Sequence, residues 1–152
     1  MSASLKDLNP KIKTFLIDPS NSILYSFVTD GKTEVKFPQS SMIEGIGIGR
    51  VTANMKLAKL DGALHGTDQE AVDMAYFLLR NDGIFVGPSA ALNVVGAVKV
   101  ARSLTPGSVV VTILCDSGDR YVSKLYNQDW LKSQHLLPTP EVEKDSAISF
   151  VK

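Results

Sequence analysis

The residues best suited to chemistry lie in TILCDSGDRYVSKLYN, residues 112–127, where an apolar run gives way to Asp116, Ser117, Gly118, Asp119, Arg120 and Tyr121. A serine at the carboxyl end of a buried strand can serve as nucleophile, hold a cofactor atom, or cap the helix that follows. The nucleophile reading lacks its G-x-S-x-G elbow, because Cys115 stands where the first glycine belongs. As a cap, the Ser117 oxygen takes the N–H of Asp119 or Arg120, with Asp119 favourably placed at the positive end of the helix dipole. Lys124, on the helix that follows, reads as an ordinary solvated lysine.

A second candidate is EGIGIGR, residues 44–50. A helix N-terminus behind glycines can cradle phosphate with bare N–H groups. The dinucleotide fingerprint G-x-G-x-x-G nevertheless fails here: Arg50 occupies the third glycine position, and no strand pattern precedes the segment. The spacing favours a tight glycine turn approached closely by other backbone. His65, His135 and Cys115 are far apart and have no metal-ligand spacing. No metal site and no catalytic side chain is assigned.

The elements that must position these residues alternate. Ile12–Ile17 reads as a strand closed by the breaker pair Asp18-Pro19, and residues 20–42 read as an irregular excursion. Thr67-Asp-Gln-Glu70 is a capping box, followed by Ala71, Met74, Ala75, Leu78 and Leu79 at helical spacing and by Gly83 as a left-handed stop. Ile84–Gly87 reads as a short strand, Pro88–Leu104 as a helix, and Val109–Cys115 as a strand apolar on both faces. Strands joined by a helix are parallel, and a wholly apolar strand is covered on both sides. The expected class is therefore α/β, with ligands gathering beyond the carboxyl ends of the strands, where Ser117 lies. Residues 1–137 form the expected domain, and 138–152 a loose C-terminal tail.

Composition narrows the function. Sixteen Lys and Arg balance sixteen Asp and Glu across 152 residues, so no positive field exists to gather nucleic acid. No segment approaches the roughly 20 apolar residues of a membrane span. The single cysteine, Cys115, reads as a small buried hydrophobe in a reducing compartment.

Taken together, EGIGIGRV (44–51), DGALHGTDQEAV (61–72), RNDGIFVGPSAALNVVGAVKVARSLTPG (80–107) and VVVTILCDSGDRYVSKLYN (109–127) resemble the C-terminal half of cysteine synthases. These are pyridoxal-phosphate enzymes of the tryptophan-synthase β type, with cystathionine β-synthase a close relative. The resemblance runs over about residues 5–132. It implies a mostly parallel sheet with helices on both faces, part of the two-domain architecture of fold type II.

The resemblance also assigns the site. In that family the serine of the (D/T)-S-G-x-R-Y motif hydrogen-bonds the pyridine nitrogen of pyridoxal 5'-phosphate, and the matching residue is Ser117. Gly45 and Gly47 match the turn that walls the cofactor, where a side chain would obstruct. A hydroxyl rather than a carboxylate at the ring nitrogen makes a weaker electron sink, which suits β-elimination. The implied reaction is β-elimination and replacement on an activated serine, O-acetylserine plus sulfide giving cysteine. The family's cofactor-anchoring lysine, asparagine-bearing substrate loop and Gly/Thr-rich phosphate cup stand in an N-terminal half and have no match here. The expectation is a chain inactive alone, completed by the missing half or a homologous subunit. The alternative is a non-catalytic interaction or regulatory module. Family members pair as homodimers, which the resemblance leaves open for this chain, and the expected location is cytoplasmic with a mitochondrial one also open.

Overall fold

Asp61 sets where the first strand begins. Its carboxylate accepts the Thr14 N–H at 2.6 Å, and Thr14 Oγ1 donates to the Lys59 carbonyl at 2.8 Å. These contacts hold the backbone just before Phe15, so the strand expected over 12–17 runs instead over Phe15–Asp18 (β1). In the computed structural model, which describes residues 1–140, 142 and 148–152, β1 follows helix α1, Ser2–Leu8. It pairs in parallel with β2, Gly62–His65, in the register Phe15↔Gly62 to Asp18↔His65. The excursion between them contains two helices, α2 (Leu24–Asp30), stopped by Gly31 at φ 69°, and α3 (Ala53–Lys56), capped by Thr52.

Helix α4, Asp68–Phe77, starts with the expected capping box: Thr67 Oγ1 accepts the Glu70 N–H at 3.2 Å, and the Thr67 N–H donates to Glu70 Oε2 at 2.9 Å. The chain continues through a π-helical turn, Leu78–Asp82, before Gly83 turns it left-handed at φ 67°. Helix α5, Pro88–Arg102, begins with proline, whose missing N–H is no loss in a first turn. Ala71, Val72, Met74 and Ala75 of α4 and Ala90, Ala91, Leu92 and Val95 of α5 are fully buried and make the centre of the core. Gly96 lets α5 lie directly on β1, since a Cβ there would stand 2.8 Å from Ile17 Cβ. The α/β class with a parallel sheet is as the sequence predicts, built on β1 and β2.

The second strand–helix–strand unit differs from expectation. Residues 84–87 run antiparallel to 116–118, with the Gly87 N–H on the Asp116 carbonyl at 3.0 Å and the Gly118 N–H on the Phe85 carbonyl at 3.2 Å. Residues 109–115 adopt no strand among the described residues. A strand needs a neighbouring strand to take its N–H and C=O groups, and this segment's bonds to α5 come from one side chain and one carbonyl: Asn93 Nδ2 donates to the Ile113 carbonyl at 2.9 Å and the Asn93 carbonyl accepts from Thr112 Oγ1 at 3.3 Å. Its other side is open: Val109 and Val111 are 87% and 83% exposed, and Cys115 is exposed rather than buried.

The looseness expected of the tail fails at its described residues. Val142, Phe150 and Val151 are buried in the core. Arg102 donates to the carbonyls of Val151 and Ile148, at 2.5 and 2.8 Å. Apolar side chains that find a groove beside α4 and α5 leave water, and the guanidinium satisfies the carbonyls that would be stranded there. Residues 141 and 143–147 lie outside the described residues.

Candidate functional site

Residues 41–48 form an arch fixed at both feet. At one foot Ser41 Oγ and the Met42 N–H both donate to the Asp68 carboxylate at 2.6 Å. At the other, the Ile48 N–H donates to Ser22 Oγ at 3.2 Å and the Ile48 carbonyl accepts the Ile23 N–H at 3.1 Å. The crown turns through Gly45 at φ 84° and Gly47 at φ 80°, a region that side chains other than glycine's rarely tolerate. The two glycines face different surroundings. A Cβ on Gly45 would meet nothing within 4 Å, whereas one on Gly47 would stand 2.8 Å from Pro19 Cγ.

Gly45 lines a cleft of about 440 Å³ together with Glu44 and Ile46 on the arch, and Asp116, Arg120 and Tyr121 opposite. Ser89, in the first turn of α5, and Cys115 complete the lining. Gly47 and Ser117 are not lining residues, although Ser117 directly follows Asp116. The structure therefore brings Gly45 and the Ser117 segment to one cleft and turns Gly47 towards Pro19.

Ser117 acts as the expected cap, of a 3₁₀ turn over Gly118–Tyr121. Its Oγ accepts the Asp119 N–H at 3.4 Å and donates to Asp119 Oδ2 at 2.5 Å. The turn is pressed on its neighbour, because a Cβ on Gly118 would lie 2.6 Å from the Phe85 ring. The side chain remains exposed, open to a group arriving from outside the chain.

Sequence reasoning named Asp116 within its motif but gave it no role. Its Oδ2 accepts the Tyr121 hydroxyl at 2.8 Å, while Oδ1 is buried without a hydrogen-bond partner. Burial, the Asp116 hydrogen bond and the nearby charges of Asp116 and Glu44 push the Tyr121 phenol above its usual range. The only sequence signal for Asp116 was its place before Ser117. Lys124, read as solvated, is instead paired with Glu44. That contact joins residues 80 positions apart, which no local pattern encodes.

Both histidines lie elsewhere. The His65 ring stacks on Phe37 at 3.7 Å and hydrogen-bonds Ser20 Oγ at 3.1 Å. Burial, reinforced by the Lys99 charge, holds its pKa below the usual histidine value. His135 is exposed, at φ 57°. Among the described residues, no three His, Cys, Asp or Glu side chains converge as a metal site would require. A larger cavity of about 690 Å³ is lined by His65, Glu70, Lys99 and Lys152 among others, and includes no residue of the arch crown or of the Ser117 turn. There Glu70 and Lys99 pair at 2.9 Å, and Lys99 also donates to the His65 carbonyl at 2.7 Å, an arrangement that braces β2, α4 and α5.

A parallel α/β unit thus sets a glycine arch against a Ser-Gly-Asp-Arg-Tyr turn, with a cleft between them and a hydroxyl beside it. Comparison with known proteins gives the family. The family model described as pyridoxal-phosphate dependent enzyme matches residues 1–116, and the chain belongs to this family. It is 46% identical over 160 residues to a cysteine synthase of Dictyostelium discoideum, matching 100% of this chain and 41% of that protein. It is 38% identical over 163 residues to cysteine synthase 2 of Schizosaccharomyces pombe, matching 100% of this chain and 40% of that protein. The fold superposes on the crystal structure of an O-acetylserine dependent cystathionine beta-synthase from Helicobacter pylori with a TM-score of 0.69 and 32% identity, covering 81% of this chain and 37% of that one. The chain thus spans about two fifths of the length of these relatives. These enzymes are pyridoxal-phosphate dependent, and the fold is of type II.

The residues present fit one side of that cofactor. Gly45 leaves open space where a side chain would stand, and the exposed Ser117 hydroxyl stands beside the cleft. Among the described residues, no lysine lines the cleft, so the side that anchors the cofactor's aldehyde is not represented.

Proposed function

We propose that this chain supplies the ring-nitrogen side of the active site of a cysteine-synthase-like enzyme, one that makes cysteine from O-acetylserine and sulfide. The observation that carries this reading is 46% identity over the whole chain to two fifths of a cysteine synthase. When bound, pyridoxal 5'-phosphate supplies an electron-withdrawing ring that labilises bonds at an amino acid's α-carbon. Ser117 would donate its hydroxyl proton to the ring nitrogen, and Gly45 would give the ring room. In the chain itself that proton goes to Asp119 Oδ2 at 2.5 Å, a bond the hydroxyl would exchange for the ring nitrogen. A hydroxyl here, in place of a carboxylate, does not hold the ring nitrogen protonated, which favours elimination of the β-substituent.

The chain alone is inactive on this reading, because no lysine among the described residues lines the cleft. Activity then requires a polypeptide equivalent to the N-terminal part of the relatives, or a homologous subunit. The test is complementation. The purified chain should form no cysteine from O-acetylserine and sulfide, and adding the N-terminal part of a cysteine synthase should restore it together with visible cofactor absorbance. Turnover by the chain alone would overturn the inactivity, and failure of the mixture would overturn the shared site. No helix is long and apolar enough to cross a membrane among the described residues. The reading places the enzyme in the cytoplasm, although one relative is named a putative mitochondrial cysteine synthase.

A second reading, a non-catalytic module that binds a related subunit, is favoured by the open face of residues 109–114. Val109, Val111, Ile113 and Leu114 are 87%, 83%, 55% and 48% exposed in one run. Contiguous apolar surface of this kind marks an interaction site. Light scattering should show association that declines on dilution, and a monomer at every concentration argues against this reading.

A further inference from the structure

We propose that the Glu44–Lys124 ion pair is a clasp that sets the width of the cleft between the glycine arch and the Ser117 segment, making both residues positioning residues for the cofactor. This rests on the functional reading above and extends it to residues on either side of the cleft.

The arch is held at its feet. Its feet, Ser41–Met42 and Ile48, are bonded to Asp68 and to Ser22 and Ile23, so they cannot drift. Its crown, Glu44–Gly47, contains two glycines in left-handed conformations, the backbone type with the most freedom to lose. Among the described residues, the Glu44–Lys124 pair is the one hydrogen bond or ion pair that ties this crown to residues 115–124. Ile46 adds an apolar contact on its own side, against the cluster of Ile43, Ala71 and Leu92.

The opposite wall is firm. Tyr121 and Leu125 are in the core, Gly118 abuts Phe85, and Tyr126 donates to the Val86 carbonyl at 2.7 Å. A fixed lysine on this wall therefore locates a crown that has few other restraints. The two side chains are 55% and 46% exposed, so the pair adds little to global stability. Its effect is local, on where Gly45 sits relative to Ser117. The pair also neutralises one of the two carboxylates that line the cleft, Glu44 and Asp116, among the described residues.

The experiment compares wild type, Glu44→Gln, Lys124→Met, the double variant and the charge swap E44K/K124E. The first measurement needs no cofactor: ¹⁵N relaxation of the Gly45 and Gly47 amides in the chain itself. Order parameters should fall from the rigid level near ~0.85 towards the flexible range below ~0.6 in each single variant, and recover in the swap. The second is the affinity for pyridoxal 5'-phosphate of the chain reconstituted with the N-terminal part of a cysteine synthase. Each single variant should weaken it about two- to fivefold, the double no further, and the swap should restore it. Recovery in the swap separates pairing from the loss of a side chain. Unchanged order parameters in both single variants overturn the clasp. Changed order parameters with unchanged cofactor affinity overturn its positioning role. A wild-type mixture that binds no cofactor overturns the functional reading and, with it, the role assigned to the clasp at the cofactor.

Discussion

Glu70 Oε1 accepts the main-chain N–H of Lys152 at 2.8 Å, so a carboxylate in the first turn of α4 holds the far end of the tail. The same side chain closes the α4 capping box and pairs with Lys99, and of these contacts the ion pair is the one that requires its charge. Replacing Glu70 with Gln leaves the part-buried Lys99 ammonium without its counter-ion, at a cost of about 1–3 kcal/mol. Urea unfolding of Glu70→Gln should show a correspondingly lower midpoint. An unchanged midpoint would remove Glu70 from the account of the tail.

Acid should destabilise the fold in two stages. The folded pKa of His65 is depressed by burial and by Lys99, so the unfolded chain binds the proton more readily. That stability is present above the unfolded value of about 6.5 and is lost as pH falls through the folded value. Burial alone would raise Glu70, but the Thr67 and Lys152 N–H groups and the Lys99 ammonium outweigh it and hold the pKa below the usual range. Its contribution is lost below about 4.3, where exposed Asp61, held low by Lys6 and the Thr14 N–H, also titrates. Asp18, raised by burial, works in the opposite sense. Thermal unfolding from pH 7 to pH 3 should show both stages, with the upper one flattened in His65→Phe. A His65→Phe profile parallel to wild type would count against the first.

Gly96→Ala should destabilise the protein although alanine is the better helix former. Helix propensity favours the change by about 1 kcal/mol. The added methyl would stand 2.8 Å from Ile17 Cβ, an atom fixed to the β1 backbone, so the helix itself must move. Overpacking of this kind costs about 1–3 kcal/mol, which exceeds the propensity gain. Chemical denaturation decides it, and a stabilised variant would show that α5 does not sit against β1 as described.

Ser117 is tested in the reconstituted enzyme. Ser117→Asp should lower elimination at least tenfold while leaving the cofactor bound, since a carboxylate at the ring nitrogen holds its proton and changes the electron sink. Single-turnover kinetics alongside cofactor absorbance separate the two effects. Identical elimination rates would remove Ser117 from the ring nitrogen.

Where structure depends on residues close in sequence, the chain alone was enough. The Thr67–Glu70 capping box, Pro88 at the head of α5, the left-handed Gly83 and the Ser117 cap are set within three or four residues, where steric and hydrogen-bonding rules act directly. The motifs around Gly45 and Ser117 were legible only through the resemblance to the family. Tertiary structure alone decided which side chains meet. VVVTILC carries every mark of a buried strand, yet strand pairing and burial belong to the neighbour as much as to the segment, and here Asn93 of α5 stands in for a partner strand. The tail docks because α4 and α5 present Glu70 and Arg102 to its backbone, and Lys124 finds Glu44 across 80 positions because two separately folded walls end at one cleft. Local sequence fixes the conformation of each piece, whereas charge pairing and burial over long separations exist only once the chain has closed on itself.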